Sequence, residues 1–176
     1  MYGGRSVLRT KRLATLGVLA AFSVLLIVLG AVIETSTLFF LSAASFCVGI
    51  AIREWGLRYG FSFLAATTLV GLLVAPNKIY CVTFAGMGLY LCLAEILWNK
   101  FGNKKALLWC GKYIAFNVMY VPMIIFAPQV LISKEISMPF LFVMWLAGQI
   151  GLFVYDKAHD YFQIFVWNKL RKYLLK

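Results

Sequence analysis

Long apolar runs separated by short polar segments dominate this chain. A helix needs roughly 20 apolar residues to cross a hydrocarbon core about 30 Å thick, and runs near that length recur along the sequence. We predict six membrane-spanning helices, at residues 13–33, 38–52, 61–75, 79–97, 113–132 and 136–154. The fold class is therefore an all-α integral membrane protein, a six-transmembrane-helix bundle that forms a single membrane domain over residues 1–176.

The two ends of the chain need separate interpretation. A basic segment followed by an apolar run is also typical of a signal peptide, but the run at 13–33 is too long and no cleavage pattern follows it. We interpret it as an uncleaved first span. Residues 155–176 mix charged and aromatic positions at helical spacing. They predict a cytoplasmic amphipathic tail, either lying on the membrane surface or extending the sixth helix.

The composition favours a membrane protein over a soluble one. Hydrophobic residues make up 63% of the chain and charged residues 13%, whereas a soluble domain is about 45–50% apolar and about 25% charged. The net charge is +11, but no nucleic-acid-binding motif accompanies it, so a nucleic-acid partner is not expected. The four cysteines form no CxxC pair, and neither a metal site nor a disulfide framework is predicted.

The basic residues predict the orientation in the membrane. With a cytoplasmic N-terminus, all of the 17 Lys and Arg residues except Lys78 and Lys134 fall on the cytoplasmic side. This distribution follows the positive-inside rule and predicts a multi-pass cell-membrane protein with both termini cytoplasmic.

The stretch "REWGLR" is then the turn between spans two and three, where Gly56 and Gly60 let the chain reverse. Glu54 and Arg58 stand four positions apart and are candidates for an ion pair; docking of a cytoplasmic partner is the alternative role for this stretch.

Support for catalysis is weak, and we predict that the chain is not an enzyme. General acid–base chemistry needs positioned titratable groups. His159 shares a helical face with Asp156 and Asp160, which suggests either a metal site or, more simply, acidic residues that balance Lys157 and Arg171. Glu95 lies within the fourth span, where an ionisable group is a functional hypothesis by default. It is expected either to pair with Lys100 or Lys112 or to act as a coupling site.

Polar residues at membrane depth point to a possible ligand site. Asn117 and Tyr120 lie in the fifth span, and Trp145 and Gln149 lie in the sixth. Buried amides need hydrogen-bond partners, and ligand sites combine an apolar, aromatic lining with a few placed polar groups. We therefore predict a small-molecule pocket between spans four, five and six, open to the outside. The predicted substrate-binding residues are Asn117, Tyr120, Trp145 and Gln149, together with Glu34 and Lys78 from the outward loops.

The first span carries small residues at helical spacing. Ala14, Gly17 and Ala21 form a smooth face, and small residues let helices approach closely within a membrane. The face predicts either docking of a partner protein or packing within the chain itself.

The whole architecture resembles the substrate-binding S components of energy-coupling factor (ECF) transporters. The segments that carry the resemblance are "KRLATLGVLAAF", "REWGLRYG" and "VAPNKIY". The tail "FVYDKAHDYF" is similar to that of an uncharacterised bacterial membrane protein family related to this group. The resemblance implies uptake of a vitamin-like small molecule, with docking through Gly17 and Ala21 onto a transmembrane coupling subunit driven by two cytoplasmic ATPases. The chain lacks a Walker lysine motif, so ATP hydrolysis would belong to those partners.

Two rival functions remain at this stage. A structural or scaffolding subunit of a membrane complex, for example in cell-wall elongation, would use the same small-residue face without any ligand. A membrane-embedded enzyme would use Glu95 or the Asp156/His159/Asp160 set. No cofactor is predicted under the preferred function.

Overall fold

The computed structural model describes residues 3–126 and 138–174. For residues 3–9, 34, 125, 126, 138 and 172–174 it describes the backbone only. The described residues form helices and contain no strand. The helices are α1 (Gly3–Val32), α2 (Thr37–Trp55), α3 (Leu57–Val74), α4 (Lys78–Phe101), α5 (Lys105–Phe126), α6 (Met138–Tyr161) and α7 (Asn168–Leu174). A short 3-10 helix (Glu34–Ser36) precedes α2, and a π-helical segment (Phe162–Trp167) joins α6 to α7.

Among the described residues, six helical stretches are long and apolar enough to cross a membrane, in agreement with the predicted number of spans. The chain is therefore a multi-pass membrane protein built from α-helices. Each described helix extends beyond its apolar run; α1, for example, begins at Gly3 rather than at residue 13. Hydropathy predicts the part of a helix that faces lipid. The helix itself continues into polar sequence because its backbone hydrogen bonds are internal.

The helices group into two compact units. The first holds Met1–Cys92 and Tyr161–Lys176, and the second holds Leu93–Asp160. In the first unit, α2 lies against both α1 and α3. Its residues 47–52 are all buried, so at this level α2 is enclosed on every side. The hydroxyl of Ser23 donates to the carbonyl oxygen of Ala44 over 3.2 Å and ties α1 to α2.

The turn between α2 and α3 consists of a single residue, Gly56. Its φ of 90° lies in the left-handed region that favours glycine, so the predicted role of Gly56 in reversing the chain is confirmed. The predicted role of Gly60 is wrong, because Gly60 lies inside α3. A Cβ atom at Gly60 would overlap the buried side chain of Ile52. Gly60 is needed for close packing of α3 on α2 and not for the turn.

The packing at Gly60 leads to a stability prediction. We expect Gly60→Ala to lower the free energy of unfolding by about 1–3 kcal/mol, because Ile52 is buried and branched at Cβ and cannot easily yield. Gly86→Ala is the matched control, since no atom lies within 4 Å of a Cβ at that helical position. It should leave stability unchanged or raise it by up to about 1 kcal/mol through helix propensity. Denaturation in detergent followed by circular dichroism measures both; equal stability of the two variants would contradict the prediction.

The sixth span is unusually long. The apolar stretch Pro139–Arg171 counts 33 residues, about 50 Å at 1.5 Å per residue, against a hydrocarbon core of about 30 Å. Helical structure continues without a break from α6 through the π-helical segment into α7. The tail therefore continues the sixth helix, and its predicted cytoplasmic location stays a prediction.

The tail packs against α2 within the first unit. The ring of Phe162 lies 5.3 Å from the ring of Phe46, near the middle of α2. The wider π-helical turn sets Gln163 and Trp167 in buried positions, while Ile164 and Phe165 stay exposed. Residues 162–167 therefore pack against α2.

Candidate functional site

The second unit contains a hydrogen-bonded group centred on Asn117, which we call the Asn117 network (Asn117, Trp145 and Gln149). The side-chain oxygen of Asn117 accepts from Trp145 Nε1 over 2.9 Å and from Gln149 Nε2 over 3.0 Å. Its amide nitrogen donates to Gln149 Oε1 over 3.1 Å and to the carbonyl oxygen of Tyr113 over 2.8 Å. All four hydrogen-bonding positions of the Asn117 amide are thus occupied.

Helical spacing explains how the network forms. Trp145 and Gln149 stand four positions apart on α6 and so share one face, which meets Asn117 on α5. Tyr120 lies one turn further along α5, and its hydroxyl donates to the carbonyl oxygen of Met144 over 3.0 Å. Gly148 leaves the room for this ring, because a Cβ atom there would overlap it. Four of the six predicted substrate-binding residues therefore lie together on the α5–α6 hairpin.

A groove runs along α5 beside the network. Its volume is about 580 Å³, and it is open on one side. It is lined by Tyr113, Ile114, Asn117, Val118, Val121 and Pro122. Asn117 is the one amide side chain in this lining. A ligand that hydrogen-bonds to Asn117 from the groove must therefore replace a bond to Trp145, Gln149 or Tyr113.

A buried ion pair lies on the same hairpin. Lys112 Nζ is 2.7 Å and 2.8 Å from the two carboxylate oxygens of Asp156, and the two side chains are 9% and 4% exposed. Lys112 also lies over the Trp109 ring at 5.3 Å, and Lys157 lies over it at 5.5 Å. Each charge of the pair requires the other, because an unpaired charge at this depth would cost several kcal/mol.

This ion pair bears on several predictions about ionisable residues. Among the described residues, no group of three His, Cys, Asp or Glu side chains is placed to hold a metal ion, Asp156, His159 and Asp160 included; the absence of a metal site stays a prediction. Asp156 pairs with Lys112, and Asp160 interacts through charge with both Lys112 and Lys157. Within the described part of the chain, Glu95 forms no ion pair with Lys100 or Lys112.

The two remaining predicted substrate-binding residues belong to the first unit. The amino group of Lys78 donates to the carbonyl oxygens of Leu72 and, over 3.1 Å, of Ala75. These carbonyls end α3 and have no partner within the helix, so Lys78 caps it. Glu34 opens the short 3-10 helix, and its side chain lies outside the described residues, as does Lys134.

The small-residue face of α1 is exposed in the first unit. Ala14, Gly17 and Ala21 are exposed, and no described atom lies within 4 Å of a Cβ built on Gly17. Within the described part of the first unit, no helix therefore covers this face at Gly17. Ala21 also borders an apolar groove of about 600 Å³ between α1 and α3.

The sequence did not reveal the cluster formed by Glu54, Trp167 and Arg171, which we call the Glu54 cluster. Glu54 Oε1 accepts from Trp167 Nε1 over 2.9 Å and pairs with Arg171 Nε over 3.0 Å. The predicted Glu54–Arg58 pair is therefore wrong. More than a hundred residues of sequence separate Glu54 from its partners. A local sequence pattern does not predict a contact between residues so far apart along the chain.

The fold and these sites define the class of the protein as a multi-pass, all-helical membrane protein with a polar network between two of its spans. Comparisons with protein-family models, with curated proteins and with solved structures find no match.

Proposed function

We propose that this chain is a membrane-embedded solute-binding subunit for uptake of a vitamin-like small molecule. The observation that carries the proposal is the Asn117 network beside an open groove on α5. An apolar, aromatic lining with a small number of placed polar groups is the usual composition of a small-molecule site. The function requires binding and release, and no residue of the chain needs a catalytic role.

Exchange of hydrogen bonds would couple binding to a change of conformation. A solute that bonds to Asn117 displaces Trp145 or Gln149, and the displaced group must find a new partner. The loaded and empty states then differ in the contact between α5 and α6. Transport requires such a difference, because a ligand shifts an equilibrium only through different affinity for the two states.

The energy source lies in partner proteins under this proposal. A transmembrane coupling subunit would dock on Ala14, Gly17 and Ala21, and two cytoplasmic ATPases would drive it. The exposed face of α1 supports docking, because small residues allow the close helix contact on which association in membranes depends. The proposed orientation has both termini in the cytoplasm and follows from the distribution of basic residues.

A structural subunit without a ligand is the second candidate. One observation favours it: all four hydrogen-bonding positions of the Asn117 amide are already occupied within the protein. The network would then hold α5 on α6, and the exposed small-residue face would serve assembly alone.

One purification separates the two candidates. The chain is isolated from its native membrane in mild detergent, and mass spectrometry identifies bound small molecules and co-purifying proteins. We expect a small molecule at close to one equivalent in the wild type and a loss of about tenfold in Asn117→Ala, because one good polar contact contributes about 1.4 kcal/mol. Ile150→Ala is the matched control, since this side chain on α6 is 68% exposed and lies outside both the network and the groove lining.

The double substitution Gly17→Leu, Ala21→Leu tests the docking face in the same preparation. It should remove the co-purifying membrane partner and leave the bound small molecule in place. A partner without any bound small molecule in the wild type would favour the structural role and overturn solute binding. A small molecule that remains in Asn117→Ala would exclude the Asn117 network as its site.

A further inference from the structure

A stacked arginine in the first half of α1 contacts the beginning of α3. The Cζ atom of Arg12 lies 4.3 Å from the centre of the Tyr59 ring. An arginine guanidinium is attracted to an aromatic face, and its flat shape lets it lie along the ring. The contact holds the Arg12 side chain in one place, where a free surface arginine would sample many rotamers.

No anion within the described residues balances Arg12. The described ion pairs are Lys112–Asp156 and Arg171–Glu54, and neither includes it. Its Nε atom is enclosed and has no hydrogen-bond acceptor. The residue as a whole is only half-buried, so part of Arg12 remains accessible to a group from outside the chain. A guanidinium in this state has donors available for a bidentate acceptor.

The first unit supplies almost no negative side chains near this position. Its acidic residues are Glu34 and Glu54. Glu54 is already held by Trp167 and Arg171. Glu34 follows Arg12 by 22 positions, about 33 Å along a helix. Lys11 and Arg58 are exposed on either side of the stacked pair, which makes this end of the unit strongly positive.

The position of Arg12 in the sequence sets its depth in the membrane. It directly precedes the apolar run that starts at residue 13, so its side chain reaches the level of the lipid headgroups. Headgroup phosphates are the anions that a membrane offers at this level. A phosphate presents oxygen atoms that match the two-pronged donor geometry of arginine.

We propose that Arg12, held on the Tyr59 ring, is the centre of a binding site for the phosphate of an acidic phospholipid. Tyr59 orients the guanidinium, and Arg58 adds positive charge to the site. The site does not depend on the proposed uptake function, because it lies in the first unit and uses no residue of the Asn117 network.

Native mass spectrometry of the full-length protein tests the site. The detergent-solubilised protein is titrated with phosphatidylglycerol and, separately, with phosphatidylcholine of the same acyl chains. We expect one phosphatidylglycerol molecule to bind about fivefold more tightly than phosphatidylcholine, which corresponds to about 1 kcal/mol per basic residue. Arg12→Leu should remove this preference, whereas Lys11→Leu, with the same loss of charge one position away, should weaken binding by less than about twofold.

Two further variants keep the test decisive if Arg12→Leu fails to fold, which circular dichroism reports. Tyr59→Leu should lose most of the preference, and Tyr59→Phe should retain it, since only the ring is required. Equal losses in Arg12→Leu and Lys11→Leu would show diffuse attraction to charge and overturn the proposal. So would equal binding of the two lipids. Displacement of the lipid by glycerol phosphate at the same concentration would overturn it in favour of a site for soluble phosphate.

Discussion

Asp156→Leu is expected to lower the free energy of unfolding by about 3–5 kcal/mol, among the largest effects of any single substitution considered for this chain. The substitution leaves the ammonium of Lys112 without its carboxylate while its side chain is only 9% exposed. The remaining charge must stay buried, turn towards the exposed carboxylate of Asp160 with which it already interacts, or pull α5 and α6 apart to reach water or headgroups. Unfolding in mixed detergent, followed by circular dichroism, measures the loss.

Two control variants isolate the buried charge as the cause. Asp160→Leu removes a second carboxylate one turn away, which interacts through charge with Asp156 and Lys112 but is exposed, and it should change stability by about 1 kcal/mol or less. The double variant Lys112→Met, Asp156→Leu replaces the whole pair with apolar side chains and should recover most of the loss, or exceed wild-type stability. If the double variant is as unstable as Asp156→Leu, lost packing and not the unpaired charge explains the effect.

Trp167→Ala should cost about 3–5 kcal/mol, because it removes one of the largest fully buried side chains of the described chain. The substitution leaves a cavity between the tail and α2, and it also removes the hydrogen bond from the indole to Glu54. Trp167→Phe keeps most of the volume and loses only that bond, so a smaller cost of about 1–2 kcal/mol is expected.

Phe165→Ala is the matched control for the tail. This aromatic side chain lies two residues before Trp167 and is 59% exposed, and its stacking on Tyr161 at 4.4 Å is its main contact. It should cost about 1 kcal/mol or less. The same unfolding measurement compares the three variants. If Trp167→Ala costs no more than Phe165→Ala, the tail does not contribute to the stability of the first unit.

Part of the candidate site could be predicted from the sequence because its chemistry is local. An asparagine and a glutamine at membrane depth must be hydrogen-bonded wherever they lie, and the prediction that Asn117 and Gln149 belong together rests on that requirement. The details could not be predicted. Whether their amide groups bond to each other or leave donors free for a ligand depends on the register of α5 against α6, and the structure has them bonded to each other.

The predictions that were wrong also depended on contacts and helix ends that a local sequence pattern does not contain. Glu54 and Arg58 have the spacing of a helical ion pair, but Gly56 ends α2 between them and breaks the helical register on which the spacing depends. Glycine is common in turns, and Gly60 was therefore predicted to be a turn residue. Its role is instead to let Ile52 pack against the backbone of α3. In both cases a neighbour from another helix, or the end of a helix, outweighs the local pattern.

The sequence by itself determined that this chain is a helical membrane protein with six spans, because the free energy of transfer into lipid is summed over each apolar run separately. Only the tertiary structure decided which polar groups meet: Lys112 with Asp156, Asn117 with Gln149 and Glu54 with Trp167. Each of these contacts joins residues at least 32 positions apart. They form because an unpaired polar group costs more in a membrane than in water, and the helices pack in the register that pairs these groups.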